Sequence, residues 1–161
     1  MTPRALELIR LLGLQPHPEG GFYRRIYGSN NRVLRKTDRA ERRALTSIYY
    51  LLPEGSLSRW HRVLSDEAWH YYEGAPLELL SFAADGSSAS IHRLGPLETN
   101  SEPVHIVPAG WWQAARSLGD YSLAGCTVGP GFKFEDFLLL ADLPESEKPV
   151  LPAGADFTVF L

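Results

Sequence analysis

Apolar residues recur at helical spacing in one segment, near the N-terminus. Over residues 3–14 they fall at every third position, which are Leu6, Ile9 and Leu12. Because positions three and four apart share one face of a helix, this spacing predicts an amphipathic helix. Thr2 stands where an N-cap is expected, and Gly13 stands where a helix stops. We therefore expect one helix over residues 3–14.

The sequence from Phe22 to Leu140 has a different pattern, in which short apolar and aromatic runs alternate with Gly, Pro, Asp and Ser. The runs are FYRRIY, ALTSIYYLL, SRWHRV, EAWHYYE, LELLSF, SIHRL, HIVP, WQAARS, YSLAGCTV and FEDFLLL. Many short strands separated by turn residues, without helical segments between them, are typical of a β-sandwich or β-barrel. The predicted fold class is therefore all-β with an N-terminal helix.

The length of 161 residues is that of one domain, which can bury a core without disulfides or a structural metal. We divide it into a helix and turn (1–21), a β-barrel (22–140) and a tail that wraps the surface (141–161). Cys126 is the only cysteine, and its apolar strand indicates a buried, inert thiol. No apolar run approaches the ~20 residues of a membrane span, and the N-terminus does not resemble a signal peptide. We expect a cytoplasmic protein without a membrane partner.

Basic residues are concentrated between Arg24 and Arg43. This segment has eight Arg and Lys against Asp38 and Glu41, a net charge of +6 in a chain whose net charge is −3. The stretch GSNNRVLRKTDRAERR has no aromatic side chain for base stacking, so we expect no nucleic-acid partner. The pattern predicts a solvated connection whose charge helps to attract an anionic ligand.

Side chains capable of chemistry are densest over residues 55–74. Because side chains alternate along a strand, Arg59, His61 and Val63 are expected on one face. A turn at residues 65–66 then predicts a hairpin with the next strand.

On that next strand Glu67, Trp69 and Tyr71 form the matching face, while His70 and Tyr72 point the other way. If the matched faces line the barrel interior, an imidazole and a carboxylate meet in a small-molecule pocket with aromatic walls. Such a pair suits metal binding or acid–base catalysis. The alternative is a satisfied polar network that fixes strand pairing.

The spacing of Gly55, His61, Val63, Glu67 and Gly74 resembles the first signature of the cupin superfamily, with Val63 in place of the second His. The second signature, Pro-x-Gly-x-x-His, is matched by PAGWWQ at 108–113, which ends in Gln instead of His. The segments PHPEGGFYR, SRWHRVLSDEAWHYYEG, VPAGWWQAA and LAGCTVGPGF make the chain similar to the cupin 5 family from residue 5 to about residue 140.

This resemblance implies a double-stranded β-helix jelly roll, usually a dimer, similar in shape to the dTDP-sugar 3,5-epimerases. It also implies that two of the four usual metal ligands are missing, at Val63 and Gln113. An amide is a poor ligand for Zn²⁺ or Fe²⁺ but a good partner for sugar hydroxyls. We therefore expect no metal or other cofactor; the disfavoured alternative is a metalloenzyme in which His61, Glu67 and Gln113 hold one divalent ion.

Two hypotheses of function follow. The first is a metal-independent epimerase or isomerase of a sugar or nucleotide sugar, by analogy with the fold, in which His61 is the general base and Tyr71 or Glu67 donates a proton. The second is a non-catalytic module that binds a small polar or anionic metabolite. The ligand-binding candidates are Arg59, Trp69, Gln113, His17 and Glu19, the last three through the resemblance. We also expect a homodimer, with the outward-facing His70 and Tyr72 at the interface.

Overall fold

The structure is a computed structural model that describes the backbone of residues 1–161 and all side chains except those of residues 155 and 156. Its helices and strands are α1 Pro3–Leu12, β1 Gln15–Pro16, β2 Phe22–Gly28, β3 Arg32–Leu34, β4 Glu41–Arg43, β5 Thr46–Pro53, β6 Leu57–Arg62, β7 Asp66–Gly74, β8 Leu77–Phe82, β9 Ala89–Leu94, β10 Val104–Val107, β11 Trp112–Ser117, β12 Tyr121–Gly129, β13 Leu138–Leu139 and α2 Ala155–Thr158. Short 3₁₀ helices lie at Phe134–Asp136, Leu140–Asp142 and Glu145–Glu147.

Helix α1 has the caps that the sequence predicts. The Thr2 hydroxyl accepts a hydrogen bond from the Ala5 N–H at 3.3 Å, and Gly13 ends the helix in the left-handed conformation at φ 60°. The buried Ala5 and Leu8 pack on Leu51 of β5. Among the residues that the structure describes, no helix is long and apolar enough to span a membrane.

The described strands form two main antiparallel sheets. Sheet 1 has the order β1-β2-β5-β12-β7-β10, and sheet 2 has the order β13-β6-β11-β8-β9. Tyr50 and Trp69 of sheet 1 share a buried core with Leu77, Leu79 and Ala115 of sheet 2. This arrangement confirms the predicted all-β jelly roll with an N-terminal helix.

The C-terminal tail covers the outer face of sheet 2. Phe157 and Phe160 pack with Trp60 and Phe82, and the Trp60 indole N–H donates to the Phe157 carbonyl at 2.7 Å. The tail includes a second, four-residue helix (α2) that the sequence pattern does not predict, because one turn is too short to show a helical period. The tail thereby closes a second apolar layer.

The predicted hairpin between the strands of residues 55–74 is wrong. Strand β6 lies in sheet 2 and β7 lies in sheet 1, so residues 63–65 carry the chain from one sheet to the other. Both strands still contribute to one interior because the two sheets face each other across it.

The predicted alternation along β6 is also wrong at Arg59. Strand β11 pairs Gln113 with His61 and Ala115 with Ser58, so β6 has one extra residue in this stretch. Such a bulge shifts the alternation by one position. Ser58 therefore lies on the His61 side of the strand, and Arg59 does not.

Two further segments differ from the prediction. The run FEDFLLL, expected as a strand, contains the 3₁₀ helix Phe134–Asp136 and only the two-residue strand β13. The basic connection contains the hairpin β3–β4, in which Arg35 and Arg42 are buried against Asp136. Charge pattern alone does not show this because Asp136 lies 101 residues from Arg35 and 94 from Arg42.

Candidate functional site

A cavity of about 590 Å³ lies between the sheets at one end of the sandwich. Four of the ionisable side chains that line it come from three places: the turn before β2 (His17 and Glu19), strand β6 (His61) and strand β7 (Glu67). Residues 132–137, which lead from β12 toward β13, supply much of an aromatic wall. The volume is in the range of small-molecule sites.

The turn that carries His17 and Glu19 is pressed against the backbones of two strands. Gly20 has φ 119°, and a Cβ there would lie 1.9 Å from the Leu57 carbonyl oxygen. The Arg59 N–H donates to the Glu19 carbonyl at 2.9 Å. A side chain at Gly20 is therefore excluded, and this contact fixes where Glu19 enters the cavity.

Glu19 is the centre of a polar cluster. Its Oε1 accepts a hydrogen bond from Ser58 at 2.8 Å, and its Oε2 lies 3.2 Å from His61 Nε2 and 3.5 Å from His17 Nδ1. The residue as a whole is 5% exposed. Burial raises the pKa of Glu19, and the neighbouring His17 and Ser58 oppose this rise.

His61 has a protein oxygen beside each ring nitrogen. Nδ1 lies 2.8 Å from the Arg59 carbonyl oxygen, which only accepts, so Nδ1 carries a proton. Nε2 faces Glu19, and the pair therefore needs one proton between the two groups. Burial lowers the pKa of His61 and raises that of Glu19. Both shifts favour the neutral pair, with the proton on Glu19.

Glu67 is held from behind by a buried amide. The Trp69 indole N–H donates to Gln113 Oε1 at 2.9 Å, and Gln113 Nε2 donates to Glu67 Oε2 at 2.5 Å. Because the indole only donates, it fixes the amide with its NH₂ toward the carboxylate. Burial raises the pKa of Glu67 to about 7, while His61 and the Gln113 hydrogen bond lower it.

The structure brings together four of the predicted site residues, because His17, Glu19, His61 and Glu67 line one cavity. Gln113 does not open into it: the side chain is fully buried, and its amide is shared between Trp69 and Glu67. The roles of these residues stay predictions.

Three other predicted residues lie elsewhere than expected. Trp69 packs in the core beneath Glu67, and the bulge directs Arg59 to the Pro18 carbonyl, at 2.8 Å. Tyr71 lies four residues beyond Glu67 on β7, about 13 Å along the strand. Its hydroxyl donates to the Gly74 carbonyl at 2.6 Å. The expectation that Arg59, Trp69 and Tyr71 line the cavity is therefore wrong.

Sequence reasoning missed Cys126 and Ser58 as residues of this region. Cys126 lies in the cavity wall with its thiol beside Glu67, and burial raises the pKa of the thiol well above its ordinary value. Ser58 anchors Glu19. Strand alternation counted from Glu67 or His61 finds neither residue. Cys126 lies on a different strand, β12, and a bulge separates Ser58 from His61.

The residues present do not fit the divalent metal that the resemblance allows. Both ring nitrogens of His61 already face protein oxygens, and the amide of Gln113 is engaged on both sides. Across the described side chains, no group of three or more His, Cys, Asp or Glu is arranged to hold a metal ion. The polar groups are paired with one another instead: Glu19 shares a proton with His61, and Gln113 donates a hydrogen bond to Glu67.

Residues 6–140 match the model of a family described as Cupin superfamily (DUF985). The chain belongs to this family. Among curated proteins, none matches the sequence.

Solved structures agree with this assignment. A hypothetical protein from Leishmania major is 32% identical with a TM-score of 0.79, over 83% of this chain and 85% of that one. A protein from Shewanella oneidensis is 36% identical with a TM-score of 0.73, over 83% and 82% of the two chains. An oxalate decarboxylase from B. subtilis is 16% identical with a TM-score of 0.58, over 81% of this chain and 32% of that one. This last likeness shows the fold alone.

Proposed function

We propose that this protein is a proton-transferring enzyme, an isomerase or epimerase that acts on a small polar or anionic metabolite without a metal. The observation that carries the proposal is Glu67, a carboxyl group with a pKa raised to about 7 by burial, in the wall of a 590 Å³ cavity. A group that is half ionised near neutral pH serves equally as base and acid.

The geometry changes the roles that the sequence predicts. The Nε2 atom of His61 faces Glu19 and not open cavity, so Glu67 is the better base. In the proposed reaction Glu67 removes a proton from a carbon next to a carbonyl group. The C–H electron pair becomes the C=C bond of an enolate, and the π electrons of the carbonyl group move to its oxygen. Glu19, which shares a proton with His61, then protonates that carbon from the other face as the carbonyl group re-forms. Glu67 releases its proton to solvent, and the Glu19–His61 pair takes one up.

Two cationic side chains in the cavity lining indicate that the ligand carries an anionic group. Arg25 and Lys133 line the cavity together with Tyr23 and Phe132, and Glu135 lies 3.7 Å from Lys133, which leaves Arg25 as the stronger anchor for an anion. Cations among aromatic rings suit a phosphate or carboxylate attached to a sugar or another planar group. A nucleotide-linked keto sugar, the substrate class that the resemblance suggests, combines these features.

Deuterium incorporation tests the proposed reaction. We expect the wild-type protein to exchange ring-carbon protons of dTDP-4-keto-6-deoxyglucose or of a phosphorylated keto sugar in D₂O, followed by NMR. Glu67→Gln should slow exchange by about 100-fold or more. Glu78→Gln, which changes a carboxylate paired with Arg116 on sheet 2 and outside the cavity lining, is the matched control. Absence of exchange with every compound, or equal exchange in Glu67→Gln, contradicts the proposal.

A non-catalytic binding module is the second candidate, and the self-satisfied cluster favours it. Glu19 already bonds to Ser58 and faces His61, and His61 bonds to the backbone. Side chains that hold one another in place in this way suit a rigid binding site. Calorimetric binding of the same compounds distinguishes the two candidates. A compound that binds wild type and His61→Ala equally, without exchange in either, identifies a binding protein.

A further inference from the structure

Residues 131–137, which we term the crossover, form the outer wall of the cavity. They run from the end of β12 in sheet 1 to β13 at the edge of sheet 2. The Phe137 ring lies 5.5 Å from the His61 ring and 5.9 Å from the His17 ring, between centroids. The position of the crossover therefore determines how far the polar cluster is covered.

The first residues of the crossover are tied to the strands beneath them. The Gly131 N–H donates to the Arg43 carbonyl at 2.7 Å, and the Phe132 N–H donates to the Thr46 hydroxyl at 2.9 Å. Further along, the anchor is Asp136, which is not part of the cavity lining and is 7% exposed.

Two arginines from the β3–β4 hairpin clasp Asp136. Arg42 contacts both carboxylate oxygens, with Nε–Oδ2 at 2.6 Å and Nη2–Oδ1 at 2.7 Å. Arg35 contacts both as well, with Nη2–Oδ1 at 3.0 Å and Nη1–Oδ2 at 2.9 Å. Both arginines are almost fully buried. Paired forks of this kind fix position as well as charge.

Removal of the Asp136 charge leaves two buried guanidinium groups without their shared carboxylate, Arg35 with Asp38 and Arg42 with the exposed Glu135 as remaining partners. Two adjacent buried cations with only exposed carboxylates as partners are costly, and outward movement of the crossover and hairpin lets water reach them. We propose that Asp136 is a positioning residue of the cavity, whose clasp by Arg35 and Arg42 keeps the aromatic wall closed and limits the size of molecule that enters. The proposal depends on the cavity and not on the reaction that it supports.

The single cysteine provides a direct measurement. Cys126 lies in the cavity wall, so its modification reports entry of a reagent. We would compare a small reagent, methyl methanethiosulfonate, with a bulky aromatic disulfide, dithiobis-nitrobenzoate, by mass spectrometry at mildly alkaline pH. In Asp136→Asn we expect the rate with the bulky reagent to rise about tenfold or more, and to rise more than the rate with the small one.

Two controls separate opening of the wall from general destabilisation. Asp38→Asn removes a carboxylate from the same hairpin and from the same Arg35, but leaves Asp136 in place. Leu8→Ala destabilises the protein at helix α1, away from the cavity. We expect Asp38→Asn to stay within about twofold of wild type, and Leu8→Ala to change both rates by the same factor, as unfolding does.

If Asp136→Asn does not fold, Arg42→Lys keeps the charge and removes the fork, and the same selective rise is expected. The proposal is overturned if the ratio of the two rates in the folded variant equals that of wild type. It is also overturned if either control changes the ratio as much as the variant does.

Discussion

The buried carboxyl group of Glu67 links the electrostatics of the cavity to the stability of the protein. Its pKa rises from 4.5 to about 7 because burial disfavours the charged form. A group whose pKa is raised by folding stabilises the native state below its unfolded pKa, and this contribution is lost as the pH rises through the native pKa. Glu67 therefore makes the protein less stable at pH 7 than at pH 4.5.

Glu67→Gln removes this titration. We expect the free energy of unfolding of wild type, relative to that of the variant, to fall by about 3 kcal/mol between pH 4.5 and a pH above 7. Urea unfolding across this range, followed by fluorescence, measures the difference. A difference that stays constant with pH shows that Glu67 titrates normally.

The Gln113 amide is expected to hold the pKa of Glu67 down through its hydrogen bond. Gln113→Met keeps the volume and removes the donor, so we expect the pKa of Glu67 to rise further. Carbon-13 NMR of labelled Glu side chains measures this pKa. Ser81→Ala, at the position that pairs with Gln113 on β8, is the control. A lower or unchanged pKa in Gln113→Met contradicts the assigned hydrogen bond.

At the scale of elements, the turn that carries Glu19 depends on close backbone contact. Gly20 has a positive φ and no room for a Cβ, whereas Gly55 has φ 74° with nothing within 4 Å of an added Cβ. At both positions the positive φ disfavours any L residue. Only at Gly20 would the added Cβ also collide with a neighbouring backbone atom. Comparing alanine substitutions at Gly20 and Gly55 therefore separates the cost of the backbone conformation from the cost of the steric contact.

We expect Gly55→Ala to cost about 1–2 kcal/mol, the penalty of the left-handed conformation. Gly20→Ala should cost clearly more, because the 1.9 Å contact with the Leu57 carbonyl forces the turn away from β6. Thermal unfolding of both variants measures the difference. Equal losses of stability mean that the turn moves without strain and that Glu19 is not fixed by it.

At the scale of the whole molecule, we propose a homodimer formed through the outer face of sheet 1. Tyr72 of β7 is 49% exposed, and Val104 and Ile106 of the neighbouring edge strand β10 are 42% and 55% exposed. Strand pairing places Val104 beside His70 and Ile106 beside Ala68, so these side chains form one patch. Aromatic and aliphatic groups at a sheet edge suit a two-fold interface.

Light scattering tests the dimer, with a mass of twice 18.0 kDa expected for wild type. Ile106→Glu should shift the protein to a monomer, since it places a charge in the patch. Leu97→Glu, at an 81% exposed position in a loop, should leave the mass unchanged. A wild-type monomer across micromolar concentrations rules out this assembly.

The sequence pattern identified the features that depend on neighbours along the chain. The helix follows from Leu6, Ile9 and Leu12 with the Thr2 cap, since these interactions lie within one or two turns. Most strands follow from short apolar runs between turn residues, and the family resemblance placed His61 and Glu67 in one interior. Local interactions fix the helix and the strands, so one sequence is sufficient for them, whereas the placement of His61 and Glu67 came from the resemblance.

Tertiary structure alone decided the features that depend on distant partners. Alternation shows which side chains share a face, but it shows neither that β6 and β7 lie in different sheets nor that a bulge exchanges Arg59 for Ser58. The burial of Arg42 requires Asp136, and the orientation of Gln113 requires Trp69. A buried polar group is stable only beside its partner, and the fold sets that distance because the chain brings remote segments together.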